Sequence, residues 1–235
     1  MKTAERVASA IVTMIADTRM QPGDRLPNES EMLEQFGVGR GSLREALRIL
    51  EIYGLINLKS GPGGGPVLLN VEPGDVSRSF SLYLHLRGAT IQELADTRLI
   101  LDPLAARMAA ESITPESAAL LRSTLEREAE SIGQNQSVFF AANDVHYVLA
   151  TMTGNRVFDL VATALKEMYT SRLAFTALGE RVARPEVHND HKLIGEAVLD
   201  GDADRAEELM RDHLISSLGK ALESPGFAAS TIGWA

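Results

Sequence analysis

Apolar side chains recur every three or four residues along most of this 235-residue chain, the period of helices that bury one stripe. Val7, Ala8, Ile11, Val12, Met14 and Ile15 keep that spacing within a predicted helix from Met1 to Arg19. A second, short helix is expected from Glu29, with Asn28 as its cap, acidic Glu29 and Glu31 in its first turn, and Met32, Leu33 and Phe36 turned inward. Gly37 and Gly39 permit a tight turn. In the next helix Leu43, Ala46, Leu47 and Leu50 form the inner face and leave Arg40, Arg44 and Arg48 outside; Gly54 stops it. Leu55 to Lys59 and Val67 to Leu69 then read as two strands joined by the Gly- and Pro-rich turn 60–66.

Beyond the Pro73-Gly74 punctuation the helical period returns and strand alternation does not. Helices are expected at about 75–87, 90–111, 115–132, 137–152, 155–178, 182–199 and 203–222, with Thr90, Thr114 and Asp202 as caps. The tail from Ser224 reads as loop-like and mobile. The fold class is mainly α: an N-terminal winged helix-turn-helix of three helices plus a small β-hairpin, and a C-terminal all-helical antiparallel bundle. The corresponding segments are 1–70, a linker at 71–75, a bundle at 76–223 and a tail at 224–235.

A helix-turn-helix places its second helix in a major groove, so the first segment points to double-stranded DNA. Arg40 and Arg44 lie four apart on one face of that helix, in the turns that meet base edges, with Ser42 between them. The net charge of −9 does not oppose this. Residues 1–70 balance eight basic against eight acidic side chains, so the whole excess of acid lies in 71–235. No run is long enough to span a membrane, the start lacks a secretory apolar block, and there is no cysteine; a cytoplasmic location is expected.

In the bundle, His146, His191 and His213 fall on the inward stripes of three different helices. A histidine on an apolar stripe is commonly a hydrogen-bonded core residue, whereas three that converge could hold a metal. Spacing leaves both open. Arg98 lies on an inward stripe with Ile91, Leu94, Leu101 and Ala105. A buried guanidinium requires an anion, either Asp102 one turn on or the carboxylate of a small molecule. Nucleotide- and phosphate-binding Gly motifs and the Gly-x-Ser-x-Gly nucleophile motif are absent, so no enzyme is expected.

Leu26-Pro27-x-Glu29, Gly37-Val38-x-Arg40, Leu43-Arg44-Glu45-Ala46-Leu47, Leu50-Glu51 and Gly54-Leu55-Ile56 resemble the GntR family of bacterial transcription regulators. Arg98, His146 followed by Gly154-Asn155, His191-x-x-Ile194-x-Glu196-Ala197, and Asp202 through His213-Leu214 resemble its FadR-type branch with an FCD ligand-binding domain. The resemblance implies a homodimer that binds operator DNA and responds to a small carboxylate effector. It also implies a divalent metal (zinc, nickel or manganese) on His146, His191 and His213. The Asp expected four residues before the first of these is Ala142 here, which leaves Asn143 as the oxygen substitute. A DNA-contacting Arg of the family is Ser30 here, so Ser30, Arg40, Ser42, Arg44 and the wing glycines Gly61 and Gly63 form the expected DNA contacts, and Arg98 the effector contact. The expected protein is a metabolite-responsive regulator, with repression relieved by effector. Two alternatives are a direct metal sensor and, below it, a metal-dependent hydrolase.

Overall fold

The computed structural model describes residues 2–59, 61, 64–70, 73–133, 138–174, 185–223 and 225–233. Side chains of 73–75, 132–133, 138–143, 171–174, 185–186 and 220–221 lie outside that description. The chain divides into two compact units, Met1–Asp75 and Val76–Ala235.

In the first unit, α1 (Thr3–Asp17), α2 (Glu29–Phe36) and α3 (Arg40–Ile52) precede the antiparallel strands β1 (Ile56–Lys59) and β2 (Gly65–Leu68). The cap of α2 is reciprocal: Asn28 Oδ1 accepts from the Glu31 amide at 3.0 Å, and Glu31 Oε2 accepts from the Asn28 amide at 2.9 Å. Two amide donors of the helix end are thereby satisfied. Gly37 closes α2 in the left-handed region, φ +61°, where a side chain would be strained. Ile11, Met32, Leu43, Leu50, Ile56 and Leu68 meet in the core, but Val12, placed on the apolar stripe by the sequence, is exposed. It falls one step round the helix from Ile11.

The register pairs Ile56 with Leu68 and Lys59 with Gly65, so the return strand begins at Gly65, two residues earlier than the alternation suggests. The segment before α2 also joins the hairpin: Gly23 donates to the Leu68 carbonyl, Leu68 to that of Asp24, and Leu26 to that of Pro66. That contact uses the free edge of β2. At the tip Gly64 donates to the Gly61 carbonyl at 2.8 Å. A Cβ at Gly64 would run into the Lys59 carbonyl, so only glycine fits there.

The second unit is helical throughout its described residues: α4 (Pro73–Leu86), α5 (Ile91–Glu111), α6 (Pro115–Gly133), α7 (Val138–Met152), α8 (Arg156–Ala174), α9 (Pro185–Leu199), α10 (Ala203–Leu222) and α11 (Pro225–Ala228). The expected linker 71–75 is thus partly helix, since α4 starts at Pro73; a proline suits a first helical position. Central α5 packs on α7, α8, α9 and α10, while α6 packs on α7 and α9. Ile91, Leu121, Leu149, Ile194, Met210 and Leu214 form its dry centre.

The mobile tail expected from Ser224 is corrected. Residues 225–228 form α11, and the segment after it is stitched to the α4–α5 junction. Ile91 donates to the Ser230 carbonyl, Ile232 donates to that of Ala89, and His85 Nδ1 lies 2.9 Å from the Ile232 carbonyl. Ile232 is only 2% exposed. Ile232→Ala is therefore expected to cost about 2–4 kcal/mol by removing a fully buried side chain. Urea unfolding followed by helical circular dichroism checks it, and a loss under 0.5 kcal/mol would restore the picture of a free tail.

Candidate functional site

Arg40 opens α3, Arg44 follows one turn later, and both side chains are exposed. Ser42 between them is half-buried, and Ser30 on α2 is exposed. Gly61 sits exposed at the wing with φ +96°; Gly63 lies outside the described residues. A groove of about 770 Å³ runs between α3 and the wing, and Arg25, Arg44, Arg48 and Lys59 are among its lining residues. Arg44 Nε lies 3.3 Å from Glu29 Oε1. With both groups so exposed, that pair orients the guanidinium at little energetic gain, and a phosphate or base can take it over.

In the second unit His146 of α7, His191 of α9 and His213 of α10 are all buried, and their ligand nitrogens fall within 4.8 Å of one another. His191 Nε2 and His213 Nε2 are 3.3 Å apart. A carboxylate stands behind each ring. Glu128 Oε1 lies 2.7 Å from His191 Nδ1, Asp190 Oδ2 lies 3.2 Å from His213 Nδ1, and Asp102 Oδ2 lies 3.2 Å from His146 Nδ1. Carboxylates only accept, so His191 and His213 carry hydrogen on Nδ1 and bring their Nε2 atoms face to face. At that distance either one Nε2 donates to the other or a cation lies between them.

This donor set fits a divalent metal. Two nitrogens bound tetrahedrally at about 2.0–2.1 Å from one ion stand about 3.3–3.4 Å apart, and backing of ligand imidazoles by carboxylates is the usual arrangement. Burial favours the neutral form of His146 and His213, the form that binds metal. Burial, reinforced by Lys166, holds the His146 imidazolium well below its ordinary range. Burial likewise lowers His213, to about 4, against the opposing pull of Asp190. The side chain of Asn143 lies outside the described residues.

Next to the cluster, Arg98 is 3% exposed and donates to Asp102 Oδ2 from Nε at 3.2 Å and from Nη2 at 2.6 Å. Its guanidinium also stacks over the Tyr169 ring, 4.8 Å from the centroid. Burial would raise the Asp102 carboxyl, but Arg98 and then His146 hold it well below the usual carboxylate range. A small cavity of about 10 Å³, room for one water-sized molecule, separates Asp102 and His146 from Lys166 of α8. Lys166 is 4% exposed, and burial, with Arg98 nearby, pushes its ammonium well below the ordinary lysine range. The Tyr169 hydroxyl and His146 Nδ1 are buried without a hydrogen-bond partner.

Several of these groups escape a reading of the sequence. Glu128 shares a stripe with Leu121 and Thr124, and Lys166 shares one with Ala162 and Tyr169. The signal that the sequence offers for them is a charge on an apolar stripe, the same one that marks Arg98. Glu128 is fully buried and accepts from His188 as well as His191, at 2.9 Å. Burial would raise its carboxyl, yet hydrogen bonds from His191 and His188 hold it below the ordinary value.

A winged helix-turn-helix with exposed arginines, followed by a helical bundle that encloses a polar cluster, defines a class of two-domain DNA-binding protein. Residues 3–64 match the family model "Bacterial regulatory proteins, gntR family", and residues 93–216 match the FCD domain. The chain belongs to the GntR family, in the branch that carries an FCD domain; it is a DNA-binding transcriptional regulator and not an enzyme. It is 30% identical over 217 residues to the Uxu operon regulator of Haemophilus influenzae, covering 91% of this chain and 79% of that protein. It is 29% identical to the transcriptional repressor NanR of Klebsiella aerogenes, covering 95% and 89%. A solved GntR structure from Streptococcus agalactiae superposes with a TM-score of 0.73 at 21% identity, covering 91% and 98%, which shows a shared fold. No helix among the described residues is long and apolar enough to cross a membrane.

Metal-free protein should be most stable above about pH 6.5. Below that value the unfolded chain protonates His146 and His213 while the native chain refuses, His213 until about pH 4. The native state then binds fewer protons, so stability falls as pH falls, approaching tenfold in the folding constant per pH unit for each such group. Urea midpoints in chelator between pH 7.5 and 5 measure it. A flat profile would contradict buried neutral imidazoles.

Proposed function

We propose that this regulator binds operator DNA as a homodimer and that a small carboxylate, held by Arg98 beside a metal on His146, His191 and His213, changes its operator affinity. The observation that carries this reading is the convergence of three buried histidines, each with a carboxylate oxygen within 3.2 Å of Nδ1, next to a buried guanidinium. Asp102 occupies Arg98 in the ligand-free chain, and an incoming carboxylate competes for the same fork. Exposed Tyr83 and Leu86 on α4, and Ile100 on α5, offer apolar surface for association with a second copy.

A bound cation would supply a positive centre for the effector's oxygens. With Ala142 where the family's aspartate stands, three imidazoles dominate the donors, a set that favours zinc or nickel over manganese. Repression relieved by effector is the proposed polarity, in keeping with NanR, a repressor by its name. On the DNA side Arg40 and Arg44 read base edges or phosphates, Ser30 and Ser42 stand beside them, and Gly61 and Gly63 let the wing backbone approach the minor groove. A ligand shifts such a protein only through unequal affinity for its DNA-binding and released states.

Two experiments test this. With a duplex selected from a random library, Arg44→Ala should weaken specific binding by about 1–3 kcal/mol if it reads a base; unchanged affinity in a fluorescence anisotropy titration removes that role. Arg98→Lys, which keeps the charge and loses the planar fork, should keep operator affinity and lose the response to a panel of mono- and dicarboxylic acids. A variant that still responds like the parent would place the effector elsewhere.

A further inference from the structure

Three donors crowd one oxygen at the edge of the histidine cluster. Asp102 Oδ2 accepts from Arg98 Nε and Nη2, and the same atom lies 3.2 Å from His146 Nδ1. Arg98 has captured it, because the 2.6 Å contact is short and aligned, whereas His146 Nδ1 has no hydrogen-bond partner. The three rings are therefore not equally supported. His191 is gripped at 2.7 Å by Glu128 and His213 at 3.2 Å by Asp190, while His146 faces a carboxylate already in use. A ligand imidazole gains basicity and a fixed orientation from the acceptor behind it, and removing such an acceptor costs roughly 10–100-fold in metal affinity.

We infer that Asp102 is a shared positioning residue that couples the two halves of the proposed site: a carboxylate ligand that draws off Arg98 releases Asp102 to His146 and so tightens metal binding. This rests on the metal and effector reading above. Asp102 itself need touch neither ligand. It changes partner through a small side-chain movement, since the same oxygen already lies within reach of both donors. The exchange needs no proton transfer, because the ionised carboxylate of Asp102 only changes the donor that it accepts from. By linkage, whatever factor the carboxylate adds to metal affinity, the metal adds to carboxylate affinity. The branch of the cluster on His191 and His213 is held by Glu128 and Asp190 and stands outside the exchange.

Zinc affinity alone tests this, measured on the full chain at pH 7.5 with a competing chromophoric chelator. Asp102→Asn alone should weaken zinc binding by less than about tenfold, because Arg98 already holds the oxygen that would back His146. Arg98→Met imitates loss of the guanidinium to a ligand and should tighten it several-fold. In the Asp102→Asn background the Arg98→Met change should alter zinc affinity by less than twofold. An equal gain in both backgrounds would mean plain charge repulsion and would overturn the coupling. A wild-type affinity no better than that of His191→Ala would overturn the metal reading and the coupling together. Should Arg98→Met not fold, Arg98→Gln serves, which removes the charge at similar size, with the His146 Nδ1 proton followed by NMR in zinc-free protein. A downfield shift relative to the parent is expected as Asp102 turns to the ring, and an unchanged resonance refutes the exchange.

Discussion

Burial of charge is the constraint on which the second unit depends. Arg98, Asp102, Glu128 and Lys166 lie inside a helical bundle, where an uncompensated ion costs several kcal/mol. They persist because the acids accept from the cations and histidines around them. Asp102 takes Arg98, and Glu128 takes His188 and His191. The same compensation places a hydrogen on Nδ1 of His191 and of His213 and turns their Nε2 atoms towards the centre of the cluster. Replacing these groups with apolar ones would stabilise many bundles, so their retention is better explained by binding than by folding.

In the first unit the governing device is local. The reciprocal cap of Asn28 and Glu31 fixes where α2 begins, the left-handed Gly37 fixes where it ends, and Leu43, Leu47 and Leu50 fix the roll of α3. Once that inner face is committed, Arg40, Arg44 and Arg48 have nowhere to go but solvent. Display of the arginines therefore follows from helix periodicity, and the exposed Arg44–Glu29 pair only orients one of them. The charge balance agrees, since residues 1–70 carry as many basic as acidic side chains and most of the excess acid lies in the other unit.

Most of the helical architecture is legible in the sequence because each helix carries a periodic stripe and most joints carry a glycine or a cap. Three local features are not. The return strand starts earlier because Pro66 faces Leu58 in the register, a pairing that alternation cannot reveal. The tail lacks periodicity and is held by backbone hydrogen bonds to the α4–α5 junction, which any sequence could make. The inward histidines are visible one at a time, but their convergence depends on how α7, α9 and α10 pack. Both anions considered for Arg98 remain relevant: Asp102 holds it in the structure, and that partner is the one a ligand would have to displace.

Displacement sets the scale of the proposed response. Regulation of operator affinity commonly needs coupling of about 1–3 kcal/mol between two sites. A hydrogen bond to a charged group contributes roughly 1.5–3 kcal/mol, so one carboxylate changing partner is of the right size. Neither a tight effector nor a large movement is required. The effector must satisfy Arg98 at least as well as Asp102 does, and its own oxygens must then be neutralised in a dry interior. A cation on the histidines would provide that neutralisation. The chemistry that makes the cluster costly to bury is therefore the chemistry that lets it discriminate an acid from a neutral molecule of the same shape.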